Sequence, residues 1–157
     1  VQAVALRFFN VYGTGQRSDG AYAAVIPKFI ELAVHGQTPT IFGDGLQTRD
    51  FVHVDDVAQA LLMLATKPWT SDLDHVYNVC TQTEISLLDL LSSIHNVLSD
   101  VAPEIPRPPP NHADERAGDI GRSVGSKARL VKDTTWSPQV EFTSGLRQQI
   151  LDSIKDS

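Results

Sequence analysis

Residues 6–16 read LRFFNVYGTGQ, and with the preceding VQAVA they make residues 1–9 a nearly continuous hydrophobic run. A run without polar alternation suits a strand covered on both faces, as in a parallel sheet. It ends on one amide, Asn10, and two turn glycines, Gly13 and Gly15. Open α/β sheets place ligand sites just beyond the carboxyl ends of their strands. The stretch therefore predicts an α/β fold with the floor of a ligand site at its start.

The chain beyond it alternates helix-like and strand-like segments, as an α/β protein requires. Over 23–34, Val25, Ile26, Phe29, Ile30, Ala33 and Val34 recur at helical spacing, with Pro27 in the first turn and Gly36 as a stop. Short strands are expected at 40–42 and 50–54, either side of the turn-rich GDGLQ. Asp55 precedes an expected helix over 56–66 with Val57, Ala58, Leu61, Leu62 and Ala65 on its apolar face, closed by Pro68. VYNVC at 76–80 reads as a buried strand. Ser86, with Asp89 three residues on, caps a helix whose stripe is Leu87, Leu90, Leu91, Ile94 and Leu98. PEIPRPPP at 103–110 is extended by composition, and 111–122 is polar. A last helix over 144–154 is capped by Thr143. No repeat or boundary divides residues 1–157, which are read as a single unit.

Composition excludes several classes. The 157 residues are 41% hydrophobic and 20% charged, with a net charge of −6. That balance supports a folded domain and supplies no basic field for nucleic acid or an anionic membrane. Cys80 is the only cysteine, and no apolar run approaches the roughly 20 residues that cross a bilayer. These features lead to the expectation of a cytoplasmic protein with no nucleic-acid or membrane partner. Neither GxGxxG nor GxxxxGK[ST] occurs, no Tyr stands four residues before a Lys, and the His and Cys residues show no metal-ligand spacing. No catalytic or metal-binding residue is assigned. His53, beside Asp55 and Asp56, reads as a structural residue at a helix start.

What the chain carries is equipment for an anion. Arg49 follows the GDGLQT loop and precedes a strand, which sets a guanidinium in place for two parallel hydrogen bonds to phosphate. Arg116 and Asp119, three apart in ERAGD, offer a donor fork beside a carboxylate that accepts from ribose hydroxyls. Surface pairing of these arginines with Asp44, Asp50 or Asp119 is the competing reading.

In order, the blocks LRFFNVYGTGQ, GAYAAVIPKF, IFGDGLQTRDFVHVDDVAQA, VYNV, ERAGDIGRSVGSKAR and WSP resemble the carboxy-terminal half of the NAD-dependent epimerase/dehydratase family. These are extended short-chain dehydrogenase/reductase enzymes, such as UDP-glucose 4-epimerases, that act on nucleotide sugars. The resemblance implies an α/β fold made of the substrate-binding half, with strands left over from a Rossmann-like sheet. It also implies that the amino-terminal NAD-binding portion, with its glycine turn and Tyr-x-x-x-Lys pair, is absent. NAD is then a cofactor of the family with no residue assigned to it here. Carried over, Asn10 contacts the diphosphate or sugar. Val25, Ile26 and Pro27, in the segment 25–29, enclose the base together with Phe42 on its strand. Arg49 and Arg116 clamp the diphosphate, Asp119 accepts from the ribose, and Ser123 lies near the hexose, where a serine leaves room for a bulky group at C2. Thr14 stands where the family often has proline, and TTWSP replaces a usual leucine-glycine; both are loop changes.

Three readings follow: the nucleotide-sugar-binding portion of an epimerase or dehydratase, with a UDP-hexose as the foremost ligand and no activity alone; a stand-alone nucleotide-sugar-binding module; or a truncated product without a binding role. With sheet neighbours missing, residues 1–9 and 76–80 are expected to pair with each other and to bury the remainder against a second copy of the chain.

Overall fold

The computed structural model describes residues 3–19, 24–68 and 70–155. In chain order its elements are β1 (Ala5–Phe8), β2 (Asn10–Tyr12), α1 (Val25–Val34), β3 (Thr40–Phe42), β4 (Thr48–Arg49), β5 (Phe51–His53), α2 (Val54–Thr66), β6 (Val76–Val79), β7 (Ile85–Ser86), α3 (Leu87–Val101), β8 (Asn111–Ala113), α4 (Ala128–Thr134) and α5 (Phe142–Lys155).

The opening hydrophobic run becomes two strands because the chain changes partner at Phe9. β1 lies parallel to β6, with Leu6 opposite Tyr77 and Phe8 opposite Val79. The Phe9 amide donates to the Val79 carbonyl at 3.1 Å, and the next amide, Asn10, donates to the Asp50 carbonyl at 3.0 Å. β2 then continues parallel to β5. The expected pairing of the first strand with 76–80 is present. The expected cover on both faces is not, since Ala5, Arg7 and Phe8 are exposed, Phe8 at 49%. Val4 and Leu6 pack against a cluster of Val52, Val57, Ala60, Tyr77, Val79, Leu130 and Trp136. Hydrophobicity along a strand states what it is able to bury, not which neighbours are there to bury it. Residues 1 and 2 of the expected strand lie outside the described residues.

A larger cluster joins α1, α3 and α5 around Tyr12, Ile41 and Phe51. α1 buries Ile26, Pro27, Phe29, Ile30, Ala33 and Val34, close to the predicted stripe, and Gly36 follows at φ +64. Residues 20–23, which include the predicted first residue of this helix, lie outside the described residues. α3 starts as its sequence indicates: the Ser86 hydroxyl accepts from the Asp89 amide at 3.0 Å and donates to the Asp89 carboxylate at 2.6 Å. Its buried face is Leu90, Leu91, Ile94, Val97 and Leu98.

α2 departs from expectation at its start and on its faces. It begins at Val54, and the cap is His53, whose Nδ1 accepts from the Asp55 amide at 3.3 Å. Asp56, Val57 and Ala60 are buried, with Met63 and Leu64 packed nearby, whereas Ala58, Leu61, Leu62 and Ala65 are exposed. Alanine and leucine encircle most of this helix, so periodicity alone does not select a face. Asp56 selects it. Its carboxylate accepts from the Gln139 and Val140 amides at 2.7 and 3.2 Å, and its carbonyl accepts from Trp136 Nε1 at 3.0 Å.

α5 begins at Phe142 rather than 144. Glu141 accepts from the Ser144 amide at 2.7 Å, Phe142 stacks on Phe51 at 5.7 Å between centroids, and Thr143 lies inside the first turn. Four elements had no strong local signal: α4, the two-residue β4 and β7, which pair antiparallel, and β8 within the polar 111–122 stretch, which pairs parallel with β3. No helix among the described residues is long and apolar enough to cross a membrane.

Candidate functional site

β3 and β8 build one wall. Their register sets Phe42 opposite Ala113, and three residues on, the Arg116 guanidinium lies 3.7 Å from the centroid of the Phe42 ring. A turn at Gly118, φ +81, then brings the chain back, with the Asp119 amide donating to the Arg116 carbonyl at 3.1 Å.

β4 builds the facing wall. Arg49 Nη2 donates to Asp119 Oδ1 at 2.7 Å, and Nη1 donates to the Thr48 carbonyl at 2.8 Å and to the Ile120 carbonyl. Side-chain exposure is only 16% for Arg49 and 25% for Asp119, so this pair is shielded from much of the solvent that weakens a surface ion pair. Gln47 Nε2 donates to the Phe42 carbonyl at 2.7 Å and to Asp119 Oδ2 at 3.4 Å. The arginine beside Asp119 in sequence is therefore not its ion-pair partner. Arg49, 70 residues away, takes the carboxylate, and Arg116 takes the aromatic ring.

The segment after Asp119 runs along β4. Thr48 donates its amide to the Gly121 carbonyl and accepts from the Ser123 amide, at 2.9 and 3.1 Å. Arg122 makes two bonds to Glu84, at 2.8 and 2.6 Å, and the Thr48 hydroxyl adds a third at 3.0 Å. The Arg122 guanidinium, followed by the Thr48 hydroxyl, holds the Glu84 carboxyl below the usual carboxylate range. Gly125 closes the segment against Cys80 and Phe9: a Cβ there would lie 2.6 Å from the Cys80 sulfur. Burial, and after it the Asp50 charge, pushes the Cys80 thiol up to about 11, which leaves little reactive thiolate at neutral pH.

A cavity of about 420 Å³ lies between these walls and α1, within the size range of small-molecule sites. Its lining is apolar at Val25, Phe29, Leu32, Phe42 and Leu87 and polar or charged at Lys28, Thr38, Thr40, Gln47, Arg49, Arg116 and Asp119. Among the sequence candidates, Val25, Phe42, Arg49, Arg116 and Asp119 line it together. Ile26 turns into the core instead, and Pro27 is buried beside a separate cleft with Gln16, Ile30 and Gln149. Asn10 is half-buried on β2, and Ser123 is half-buried beside Thr48; neither lines this cavity. Gln47 and Lys28 line it although sequence reasoning did not single them out. The signal for Gln47 was its place two residues before Arg49 in a glycine-rich loop. Lys28 had no local signal, because a charged residue on a helix is ordinarily a solvated one. No group of His, Cys, Asp and Glu among the described residues has the arrangement of a metal site.

Short strand pairs, three of them parallel, helices packed on them and a cleft lined in part by cations describe an α/β protein built like the extended short-chain dehydrogenase/reductase epimerases. A putative UDP-glucose 4-epimerase of Methanocaldococcus jannaschii is 32% identical over 150 residues, 96% of this chain and 45% of that protein. The structure of a UDP-N-acetylglucosamine 4-epimerase from Methanobrevibacter ruminantium, in complex with UDP-N-acetylmuramic acid, superposes with a TM-score of 0.85 at 35% identity, covering 98% of this chain and 46% of that one. A UDP-glucose 4-epimerase from Thermotoga maritima with UDP-glucose superposes with a TM-score of 0.82 at 29% identity, covering 96% and 45%. The sequence profile of the NAD dependent epimerase/dehydratase family matches residues 1–80. The chain belongs to that family, and it spans about half the length of the relatives it matches.

Proposed function

We propose that this chain supplies the nucleotide-sugar-binding portion of an NAD-dependent sugar epimerase or dehydratase, corresponding to the carboxy-terminal part of such an enzyme, with a UDP-hexose as its foremost ligand. The observation that carries the reading is the cavity that gathers Val25, Phe42, Arg49, Arg116 and Asp119. Its apolar lining suits a pyrimidine base, with Val25 and the Phe42 strand as walls and Ile26 and Pro27 fixing α1 behind them. Its arginines suit a diphosphate, held by Arg49 and Arg116, with Asp119 for the ribose. Asn10 and Ser123, which do not line the cavity, are assigned to the sugar. A solved relative bound to an N-acetylated sugar nucleotide supports a parent that accommodates a bulky C2 group at Ser123.

The hydride chemistry of the family is not assigned to these residues. NAD supplies a hydride acceptor when bound, and its pyrophosphate ordinarily sits where a glycine turn leads directly into a helix. Here Gly13 and Gly15 end β2, but α1 begins only at Val25, so the residues present do not fit that group. Calorimetry of the purified chain against UDP, UDP-glucose and UDP-N-acetylglucosamine is expected to show binding, with no turnover and no NAD binding. Silence toward all three ligands refutes the binding role, and reproducible turnover refutes the assignment of the chemistry elsewhere.

The exposure of Ala5, Arg7 and Phe8 on β1, whose one strand partner among the described residues is β6, supports self-association through residues 1–9. Sedimentation at several concentrations is expected to show an associating species that is lost when residues 1–9 are removed. Strict monomers with and without them count against it.

A further inference from the structure

The geometry assigns to Gln47 a role as the residue that limits Asp119 to one ribose hydroxyl, an inference that rests on the nucleotide reading of the cavity. A carboxylate offers about four acceptor positions, two on each oxygen. Three are occupied from within the chain. Oδ1 takes Arg49 Nη2 at 2.7 Å and the Ile120 amide at 2.9 Å, and Oδ2 takes Gln47 Nε2 at 3.4 Å. The two bonds on Oδ1 are not readily surrendered. The Ile120 amide is the next peptide along the chain, and the Arg49 guanidinium is also tied to the Thr48 and Ile120 carbonyls. Gln47 is anchored too, since its amide nitrogen donates at 2.7 Å to the Phe42 carbonyl.

One position therefore remains open, on Oδ2. A vicinal diol that grips a carboxylate through both hydroxyls needs two. With Gln47 in place the carboxylate accepts a single hydroxyl and does not register whether its neighbour is present, so ribo- and 2′-deoxyribonucleoside diphosphates are both ligands. Without the Gln47 amide a second position opens on the same oxygen, and the carboxylate receives both hydroxyls of a ribose. Gln47 thus positions Asp119 and sets the sugar class of the nucleoside.

The test is calorimetry of the 157-residue chain with UDP and 2′-deoxy-UDP, which share a base and a diphosphate and differ by one hydroxyl. The unmodified chain is expected to bind the two within about threefold. In Gln47→Leu, and separately in Gln47→Ala, the ratio is expected to shift toward UDP by about tenfold or more, the scale of one hydrogen bond to a charged acceptor, whatever happens to absolute affinity. A loss of packing alone weakens both ligands alike and leaves the ratio unchanged. An unmodified chain that prefers UDP by more than about thirtyfold, or a ratio that stays put in both variants, overturns the inference. If neither nucleotide binds the unmodified chain, the nucleotide reading falls and this inference with it. If both bind with the wrong ratio, this inference alone falls.

Discussion

Arg49→Ala is expected to weaken UDP binding by about 10- to 100-fold, corresponding to roughly 1.5–3 kcal/mol for the loss of charge-assisted bonds to a diphosphate. The effect has a second component. Arg49 joins Asp119, Thr48 and Ile120 across two segments that are far apart in sequence. Removing it leaves a carboxylate of 25% side-chain exposure without its cation and takes away the side-chain ties of residues 119 and 120 to β4, leaving the backbone bonds of Thr48 to Gly121 and Ser123. The variant should therefore lose stability as well as affinity. Arg116→Ala provides the contrast. Its guanidinium lies on the face of Phe42 and is exposed, a contact that is worth about 0.5–1 kcal/mol at such a site. That variant should bind UDP more weakly with an almost unchanged melting temperature. Calorimetry paired with thermal denaturation separates the two cases. If both variants bind as the unmodified chain does, neither arginine is a phosphate ligand.

Asp50→Ala is expected to be the most destabilising single change near the site. Asp50 is fully buried, and its carboxylate accepts from the Thr81 amide at 2.8 Å, the Thr81 hydroxyl at 2.7 Å, the Gln82 amide at 3.0 Å and the Gly125 amide at 3.1 Å. It fastens three segments at one point: the Arg49 strand, the turn where Gln82 is held at φ +67, and the end of the stretch that carries Asp119 and Ser123. Alanine leaves three amides without a partner, each costing about 1–3 kcal/mol when buried; Thr81 and Gly125 are half-buried and Gln82 is exposed, which puts each toward the lower part of that range. A total on the order of 3–5 kcal/mol is a large share of a domain's net stability. For a chain of this size it corresponds to a fall in melting temperature on the order of 10 °C. Asp44→Ala serves as the control: Asp44 is exposed and accepts a local bond from the Leu46 amide at 2.9 Å. Equal melting temperatures for the two variants are incompatible with the role given to Asp50.

The sequence by itself determined the helices that advertise their own ends and faces. α1 and α3 were legible because periodicity, a proline in the first turn and a Ser–Asp cap all operate within about one turn of helix. Sequence also determined the family, through ordered blocks, and named five residues that the fold gathers around one cavity. Tertiary structure alone decided how those residues are partnered. Arg116 and Asp119 are neighbours in the chain, yet Asp119 binds Arg49 across 70 residues, because the β4 backbone delivers that guanidinium to the returning loop while the β3–β8 register delivers Arg116 to Phe42. It also decided that the opening run divides between β6 and β5, and that α2 turns Ala60 inward and Leu62 outward. The reason is the same in each case. Local signals fix conformation over a few residues, whereas an ion-pair partner, a strand neighbour or the buried side of an evenly apolar helix is chosen by groups distant in sequence, such as the Asp56 carboxylate on the 139–140 amides.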